Sequence, residues 1–492
     1  MRVLLVYPEF PDTFWSFKHA LKFVSKRASY PPLGLLTVAA LLPKEWDKRL
    51  IDMNVTTLKD RDLAWADYVF IGAMVVQRKS AQEVLAHCRE AGVPVVAGGP
   101  LFTEEPEKFP TVDHLVLNEA EITLPLFLRD LEQGHPQRVY TTSEFADIEQ
   151  TPAPLWELLE LDRYACMCMQ YSRGCPFNCD FCNITTLFGH TPRVKTAQQI
   201  IAELDSLYAL GWRGTIFFVD DNFIGNKRRL KAELLPALRA WRPREKGIDF
   251  ETEASINLAD DEELMRTMVE VGFDSVFVGI ETPDEQSLTE CSKVQNKGRD
   301  LVACVKRMQQ AGLQVQGGFI VGFDSDTPSI FQRQIEFIQR SGIVVAMTGL
   351  LQAPRGTRLY KRLQREGRLL DDPTGDNTDG SMNFVPRMPR EVLQAGYRRI
   401  VREIYAPHAY YERVKTFLRD YHPLPIHRPI SFAELKAFFR SIYALGIKGA
   451  ERVHYWKLFF WTLLRRPRLF PLAITLSIYG FHFRQVFDTS SG

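Results

Sequence analysis

Short apolar runs separated by amphipathic stretches fill the first part of the chain. Val3–Tyr7, Arg49–Met53, Tyr68–Ala73, Val93–Ala97 and His114–Leu117 are four to six residues long and mostly β-branched or aliphatic, with little polar alternation. Between them Pro32–Leu36 opens a helical stretch, and Ser80–Ala91 carries helical spacing. Strands that lack alternation are buried on both faces, which is the mark of a parallel sheet with helices on either side. Residues 1–140 therefore predict a doubly wound, Rossmann-like α/β domain. In such a domain the ligand lies at the carboxyl ends of the strands.

Residues 141–165, with Pro152 and Pro154, form a connector. A second βα series covers 166–384, with strands predicted near Met167–Tyr171, Thr215–Asp220, Asp249–Ala254, Ser275–Glu281, Val315–Gly322 and Val344–Leu351. Thr196 with Gln199 and Asp260 with Glu263 have capping-box spacing. Gly211, Gly272 and Gly312 stand where helices should stop. Six βα units predict an open, partial (β/α)6 barrel with its catalytic groups at the C-terminal strand ends. From 385 to 492 the pattern becomes purely helical, and residues 440–485 are both apolar and basic. No internal repeat is present.

A chain of 492 residues calls for two or three domains. Its 45% hydrophobic and 25% charged content is that of a globular protein. The net charge of +1 argues against nucleic acid as a partner. The apolar start, Arg2–Tyr7, is too short for a secretory signal and reads as a strand. No run of about 18 clean apolar residues predicts a membrane span. Eight cysteines, three of them within eight positions and five scattered (Cys88, Cys166, Cys168, Cys291, Cys304), suit a reducing cytoplasm and a metal site rather than disulfides.

Those three lie in Ser172-Arg173-Gly174-Cys175-Pro176-Phe177-Asn178-Cys179-Asp180-Phe181-Cys182, directly after the first barrel strand. Cys175, Cys179 and Cys182 can hold one [4Fe–4S] cluster. Three ligands leave a fourth iron open to the amino and carboxylate groups of S-adenosylmethionine (SAM), whose reductive cleavage yields a 5′-deoxyadenosyl radical. A zinc site or inert buried cysteines are the alternative, but structural zinc needs a fourth ligand, and His190 is the one nearby candidate.

The Cys-x-x-x-Cys-x-aromatic-Cys spacing at the end of a first barrel strand resembles the radical SAM signature. That resemblance implies that Phe181 lies near the adenine. It also implies that the amino group, ribose and carboxylate of SAM are bound from Asp220 after the second strand, Glu251, Glu253 and Asn257 on or after the third, Glu281 closing the fourth, and the Gly318–Gly322 run on the fifth, ending at Gly322. Capping of strand ends is the plainer role for each of these polar groups.

With a doubly wound domain in front, the chain resembles cobalamin-binding-domain radical SAM enzymes nearly end to end. Tyr30-Pro31-Pro32-Leu33-Gly34-Leu35, Gly98-Gly99-Pro100 and Asn118-Glu119-Ala120-Glu121 carry the likeness. It implies cobalamin near Gly98, Gly99 and Glu119, with the loop after the third strand, and Gln77 or Arg78 in it, facing the lower side of the corrin. The Asp-x-His-x-x-Gly motif that supplies a histidine to cobalt elsewhere is absent, since Pro8-Glu9-Phe10-Pro11-Asp12-Thr13 follows the first strand. Members of this family often bind cobalamin without it.

Asp220–Asn226, Ala353–Tyr360 and Arg465–Pro471 resemble a subgroup with a helical C-terminal extension that includes hopanoid C-2 methylases. The implied activity is cobalamin-dependent methylation of an unactivated carbon in an apolar, lipid-like small molecule. An electron donor such as a flavodoxin or ferredoxin would serve it. A cyclase, oxidase or carbon–carbon coupling enzyme of the radical SAM type is the first alternative, and a non-enzymatic Fe–S binding protein the second. The aromatic and basic tail is compatible with lying peripherally on the cytoplasmic face of a membrane and with capping the barrel; Pro467 and Pro471 break any spanning helix.

Overall fold

The computed structural model describes residues 1–376, 378–424 and 432–489. Strands β1 (Arg2–Tyr7), β2 (Asp47–Asp52), β3 (Tyr68–Gly72), β4 (Val95–Gly98), β5 (His114–Val116) and β6 (Val139–Tyr140) form a parallel sheet in the order β2-β1-β3-β4-β5-β6. Alternate side chains of β1 enter different cores. Leu4 and Val6 pack with Val69, Ile71 and Val95 on one face, and Val3 and Leu5 with Phe70 and Val96 on the other. Both faces are covered, which is why these strands show no polar alternation. The two-residue β6 was not foreseen, because so short a run carries no period.

The second sheet is also parallel: β7 (Met167–Met169), β8 (Gly214–Phe218), β9 (Ile248–Glu253), β10 (Phe273–Glu281), β11 (Gln314–Val321) and β12 (Ala346–Leu350). Each strand pairs with its neighbour in sequence, giving an arc of six with intervening helices outside. This is the expected partial barrel behind a doubly wound domain. Thr196 caps its helix as foreseen, its hydroxyl accepting from the Gln199 amide at 3.2 Å. The predicted Asp260 cap is displaced by one residue. Asp261 accepts from the Leu264 amide at 3.1 Å, while Asp260 pairs with Arg299 at 2.6 Å.

The open side of the arc is filled by the segment between β1 and helix α2 (Leu33–Leu41), which contains helix α1 (Lys18–Val24). Ala28 bridges to Tyr164 just before β7. The Trp15 indole reaches inside, its ring 5.4 Å from Phe277 and its N–H 2.9 Å from the Met347 sulfur on β12. The C-terminal helices α3 (Arg390–Tyr405), α4 (Pro407–Asp420), α5 (Phe432–Ser441), α6 (Arg452–Arg465) and α7 (Phe470–Thr489) pack behind this plug. Phe483 of α7 stacks on Phe14 at 4.2 Å, and Tyr405 of α3 donates to the Ala346 carbonyl at 2.8 Å. Helix α7 is thus the cap that the tail pattern allowed. No helix among the described residues is long and apolar enough to cross a membrane.

Candidate active site

The cysteine loop is held by backbone and charge before any cofactor is considered. Gly174 has φ 91°, and a Cβ there would come within 3.0 Å of the carbonyls of Phe188, Gly189 and Thr191. Its amide donates to Asp221 at 3.1 Å, and the Cys182 amide donates to the Cys179 carbonyl at 3.2 Å. From the far side, Arg358 donates to the Asn178 carbonyl at 2.6 Å and pairs with Asp180. The Leu359 amide donates to the Asp180 carbonyl at 2.9 Å. Burial pushes all three thiols up, Cys182 to about 12; the Cys179 sulfur raises Cys175 and Cys182 further, and the Glu281 carboxylate does the same to Cys179. Yet among the described residues no three His, Cys, Asp or Glu groups converge at single-ion distance. Three thiols from one loop are one ligand short of a structural zinc site and match the three protein ligands of a cubane with one open iron.

The positions that the resemblance assigns to SAM surround this loop. Phe181 is half-buried, edge-on to Phe323 at 6.2 Å. Asp220 is fully buried, with both oxygens taken by the amides of Tyr171 (3.1 Å) and Ser172. It braces the base of the loop, and burial pushes it up to about 7 despite those bonds. Glu253 faces the cavity described below; burial, then Asp221 and Asp220, push it up to about 8. Asn257 accepts from the Ser255 hydroxyl at 2.6 Å in the turn after β9. Glu281 sits at φ 63° and pairs with Lys293 at 2.6 Å. Burial pushes the Lys293 ammonium down, but Glu281 and the Cys179 sulfur outweigh it and hold it above its ordinary value. Gly322, φ 112°, gives its amide to Asp326 at 2.8 Å and turns the chain out of β11.

One cavity of about 730 Å³ lies where the two sets of strand ends meet. It begins as a slot between α2 and the first sheet, lined by Gly34, Val38, Gly72 and Gly98. It ends in the barrel against Trp15, Phe217, Phe277 and Met347. Its volume is within the range of about 300–1,000 Å³ typical of small-molecule and cofactor pockets. Two glycines shape the slot. Gly99 has φ 89°, and a Cβ on Gly98 would lie 2.6 Å from the Val116 carbonyl oxygen. Gly34, Gly72, Gly98 and Gly99 line the first-domain end of the cavity and aromatic side chains its barrel end, a lining that fits a corrin with its nucleotide tail. Gln77 and Arg78 do not line it. Gln77 is buried, donating to the Pro8 carbonyl at 2.6 Å and accepting from the Met74 amide at 2.9 Å. Arg78 is spent on buried Glu105, at 2.6 and 3.0 Å. The loop presents Met74 and Val76 to the cavity instead.

Glu119 joins the two halves. Its buried carboxylate takes Arg173 and Arg193, each at 2.9 Å, and the Ala146 amide at 2.8 Å. Arg173, two residues before Cys175, also holds Glu121 at 2.7 Å. The first domain therefore grips the strand that leads into the cysteine loop. Sequence reasoning missed Arg173, Arg193 and Lys293 as parts of the site. Arg173 was visible inside the motif, but its carboxylate partners lie about 50 residues away, and no local pattern links them to it.

Residues 169–338 match the radical SAM superfamily, and residues 357–491 match a domain of unknown function. An uncharacterized methyltransferase of Synechocystis sp. is 42% identical over 99% of this chain and 92% of its own length. The hopanoid C-2 methylase of Rhodopseudomonas palustris is 34% identical over 94% of this chain and 90% of its own. In fold the chain is similar to OxsB, a cobalamin-dependent SAM radical enzyme, with TM-score 0.65 and 15% identity over 100% of this chain and 80% of that one. It is also similar to the radical SAM methyltransferase TsrM of Kitasatospora setae, with TM-score 0.64 and 14% identity over the whole of both chains. With sequence likeness running nearly end to end and a cysteine loop shaped for a cluster, the chain belongs to the radical SAM methyltransferases that include hopanoid C-2 methylase, enzymes that work with a [4Fe–4S] cluster and SAM.

Proposed function

We propose that the protein is a cobalamin-dependent C-methyltransferase acting on an unactivated carbon of an apolar, lipid-like substrate. The observation that carries this reading is the single cavity joining a glycine-walled slot in the first domain to the aromatic interior of the barrel. When bound, the cluster and SAM supply a hydrogen-abstracting radical, and the corrin supplies a transferable methyl group. The residues of the chain do the rest. Gly98 and Gly99 line the slot and, lacking Cβ atoms, let the strand ends of Val116 and Ala73 pack tightly enough to shape it. Trp15, Phe217, Phe277 and Met347 give an apolar substrate its contacts and exclude water from the reacting centre. Glu253, pushed up to about 8, stays largely protonated near neutral pH and can donate a hydrogen bond at the cavity wall. Arg173, fixed between Glu119 and Glu121, holds the cysteine loop in register with the cavity. Hopanoids, the substrate named for the Rhodopseudomonas relative, are the first compounds to try, with a flavodoxin or ferredoxin as electron donor.

The test is anaerobic reconstitution with iron, sulfide and hydroxocobalamin, followed by an absorption spectrum after desalting. Retained corrin at about one per chain beside an iron–sulfur band supports the reading. Methyl-labelled SAM should then place label in the product. An iron–sulfur band with no retained corrin removes the cobalamin step and favours a radical SAM reaction without methyl transfer.

A further inference from the structure

The described residues expose eighteen large apolar side chains, and eight of them fall within residues 435–464. This stretch is a helical hairpin. Helix α5 continues through a π-helical turn, Ile442–Lys448, and α6 runs back beside it. On the first arm Leu435, Phe439, Tyr443 and Ile447 recur every four residues, and all are exposed. On the second, Val453, Phe460 and Leu464 follow at helical spacing, with Leu464 80% exposed. The two rows are continuous, because the arms meet along an aromatic seam. Phe438 lies 5.5 Å from Phe439 and 6.3 Å from Phe459, and Phe460 stacks on Trp456 at 5.7 Å. Scattered exposed apolar residues need no explanation, but a contiguous patch marks an interaction surface.

Charge identifies the partner. Residues 432–468 contain eight Lys and Arg against two Glu, a surplus of six positive charges in a chain whose total is +1. One of the two carboxylates, Glu451, is buried on Arg484 at 2.8 Å. Two of the cations work internally. Arg440 donates to the carbonyls of Lys22 (2.6 Å) and Phe23 (2.9 Å), and Arg466 to those of Arg419 (2.9 Å) and Tyr421 (2.6 Å). The other six, Lys436, Lys448, Arg452, Lys457, Arg465 and Arg468, are exposed. An apolar face with aromatic residues and a rim of cations matches the interface of an anionic bilayer, where the rings sit at headgroup depth and the cations meet lipid phosphates. A protein partner would have to bring both an apolar surface and a dense acidic rim.

We infer that the α5–α6 hairpin is a docking surface for an anionic lipid bilayer. The hairpin is tied to the cavity wall. Arg440 clamps the end of α1, and the same segment supplies Phe14, Trp15 and Lys18 to the cavity lining. Docking by this face sets the plugged side of the barrel, whose plug lines the cavity, toward the lipid. This goes beyond the proposed reaction and does not depend on it.

The test is flotation of the full chain with vesicles of phosphatidylcholine alone and of an equal mixture with phosphatidylglycerol. The chain should float with the mixed vesicles at low salt and be released at about 0.5 M salt, where screening is strong. The triple variant Phe439→Asp, Phe460→Asp, Leu464→Asp changes only exposed positions and should lower binding about tenfold or more. Lys448→Glu with Lys457→Glu and Arg465→Glu should erase the preference for the charged lipid. Circular dichroism and elution volume unchanged from the parent confirm that both variants fold. A parent chain that stays unbound on mixed vesicles overturns the inference, as does a triple variant that floats as well as the parent. A parent dimer that the triple variant dissolves into monomers overturns it too, by assigning the face to a second copy. Flotation needs no cluster, SAM or corrin. A chain that keeps corrin but does not float therefore loses only the docking surface, and a chain that floats without corrin loses only the methyl-transfer reading.

Discussion

Arg173→Met is the perturbation whose outcome follows most directly from the structure. The guanidinium is 11% exposed and bonds Glu119 at 2.9 Å, Glu121 at 2.7 Å and Gln170 at 2.7 Å. Removing one partner of a buried ion pair costs about 3–5 kcal/mol, because a charge is left without compensation. Here the lower end applies. Arg193 still neutralises Glu119, and the Thr151 hydroxyl still donates to Glu121 at 2.8 Å. A loss of about 3 kcal/mol at this hinge opens the cysteine loop roughly a hundredfold more often. Amide hydrogen exchange of residues 172–182, read by mass spectrometry on the cofactor-free chain, reports this directly. The pH dependence has a fixed sign. Burial pushes the Glu121 carboxyl up, but its bonds to Arg173 outweigh that and hold it below its ordinary value. Its stabilisation is therefore complete above the unfolded pKa of about 4.3 and is lost as pH falls through the lower folded value. In the variant the Thr151 hydroxyl still favours the charged form, but burial is no longer outweighed by Arg173 and the carboxyl accepts a proton more readily. The ratio of variant to parent exchange should be largest at pH 7 and shrink toward pH 4. Adding Glu121→Gln to Arg173→Met should recover most of the protection. A single variant that exchanges within about threefold of the parent at pH 7, or a double variant no better than the single, refutes the claim that this pair holds the loop.

Cys182→Ala should lose the iron–sulfur absorption and all reductive cleavage of SAM, measured as 5′-deoxyadenosine, since two thiolates cannot complete the site. Gly98→Ala places a methyl 2.6 Å from the Val116 carbonyl oxygen, so the slot must deform. The chain should still take up iron but retain less than about a tenth of the parent's corrin after desalting, and undiminished retention would separate Gly98 from the cofactor. Glu253, pushed up to about 8 by burial and by Asp221 and Asp220, binds a proton in the fold that the unfolded chain releases near 4.5. Its penalty is absent below pH 4.5, grows as pH rises and is complete above about 8, so the cofactor-free chain should melt lower at pH 9 than at pH 6. Glu253→Gln should reduce that slope, with Asp220, raised to about 7, keeping part of it, and an unchanged melting profile would place the proton elsewhere.

The fold was readable because its strands are buried on both faces. Val3, Leu4, Leu5 and Val6 are all fully buried, so a run of apolar residues is the only pattern that can stand there. The cysteine loop was readable because its three ligands lie within eight residues, and local spacing suffices. Elements whose identity depends on distant partners were not readable. Gln77 and Arg78 sit in the loop expected to face a corrin, but Gln77 closes the turn against Pro8, and Arg78 answers the buried charge of Glu105, 27 residues away. A sequence places such a loop without giving the direction of its side chains. Asp220 is the same case from another side, since both its oxygens are consumed by backbone amides that no pattern reveals.

These misplaced expectations share a cause that bears on how the enzyme is built. Polar groups near the cavity are mostly committed to holding protein to protein. Glu119 and Glu121 take Arg173, Glu281 takes Lys293, Asp221 takes the Gly174 amide, and Asp220 takes the strand end. What faces the cavity is largely aromatic, aliphatic and glycine, with Glu253 among the few carboxylates left at its wall. A site that must hold a reactive radical benefits from walls that exclude water and from rigidity that does not depend on the substrate. Of the charges that do reach the cavity wall, Glu119, Glu121 and Arg173 are spent on one another, where they set the geometry of the cysteine loop against the first domain. The same division explains why the C-terminal helices split in function. Helix α7 buries its aromatic face on Phe14 behind the barrel plug, whereas the α5–α6 hairpin, one layer further out, carries exposed aromatic side chains, Phe439, Tyr443 and Phe460.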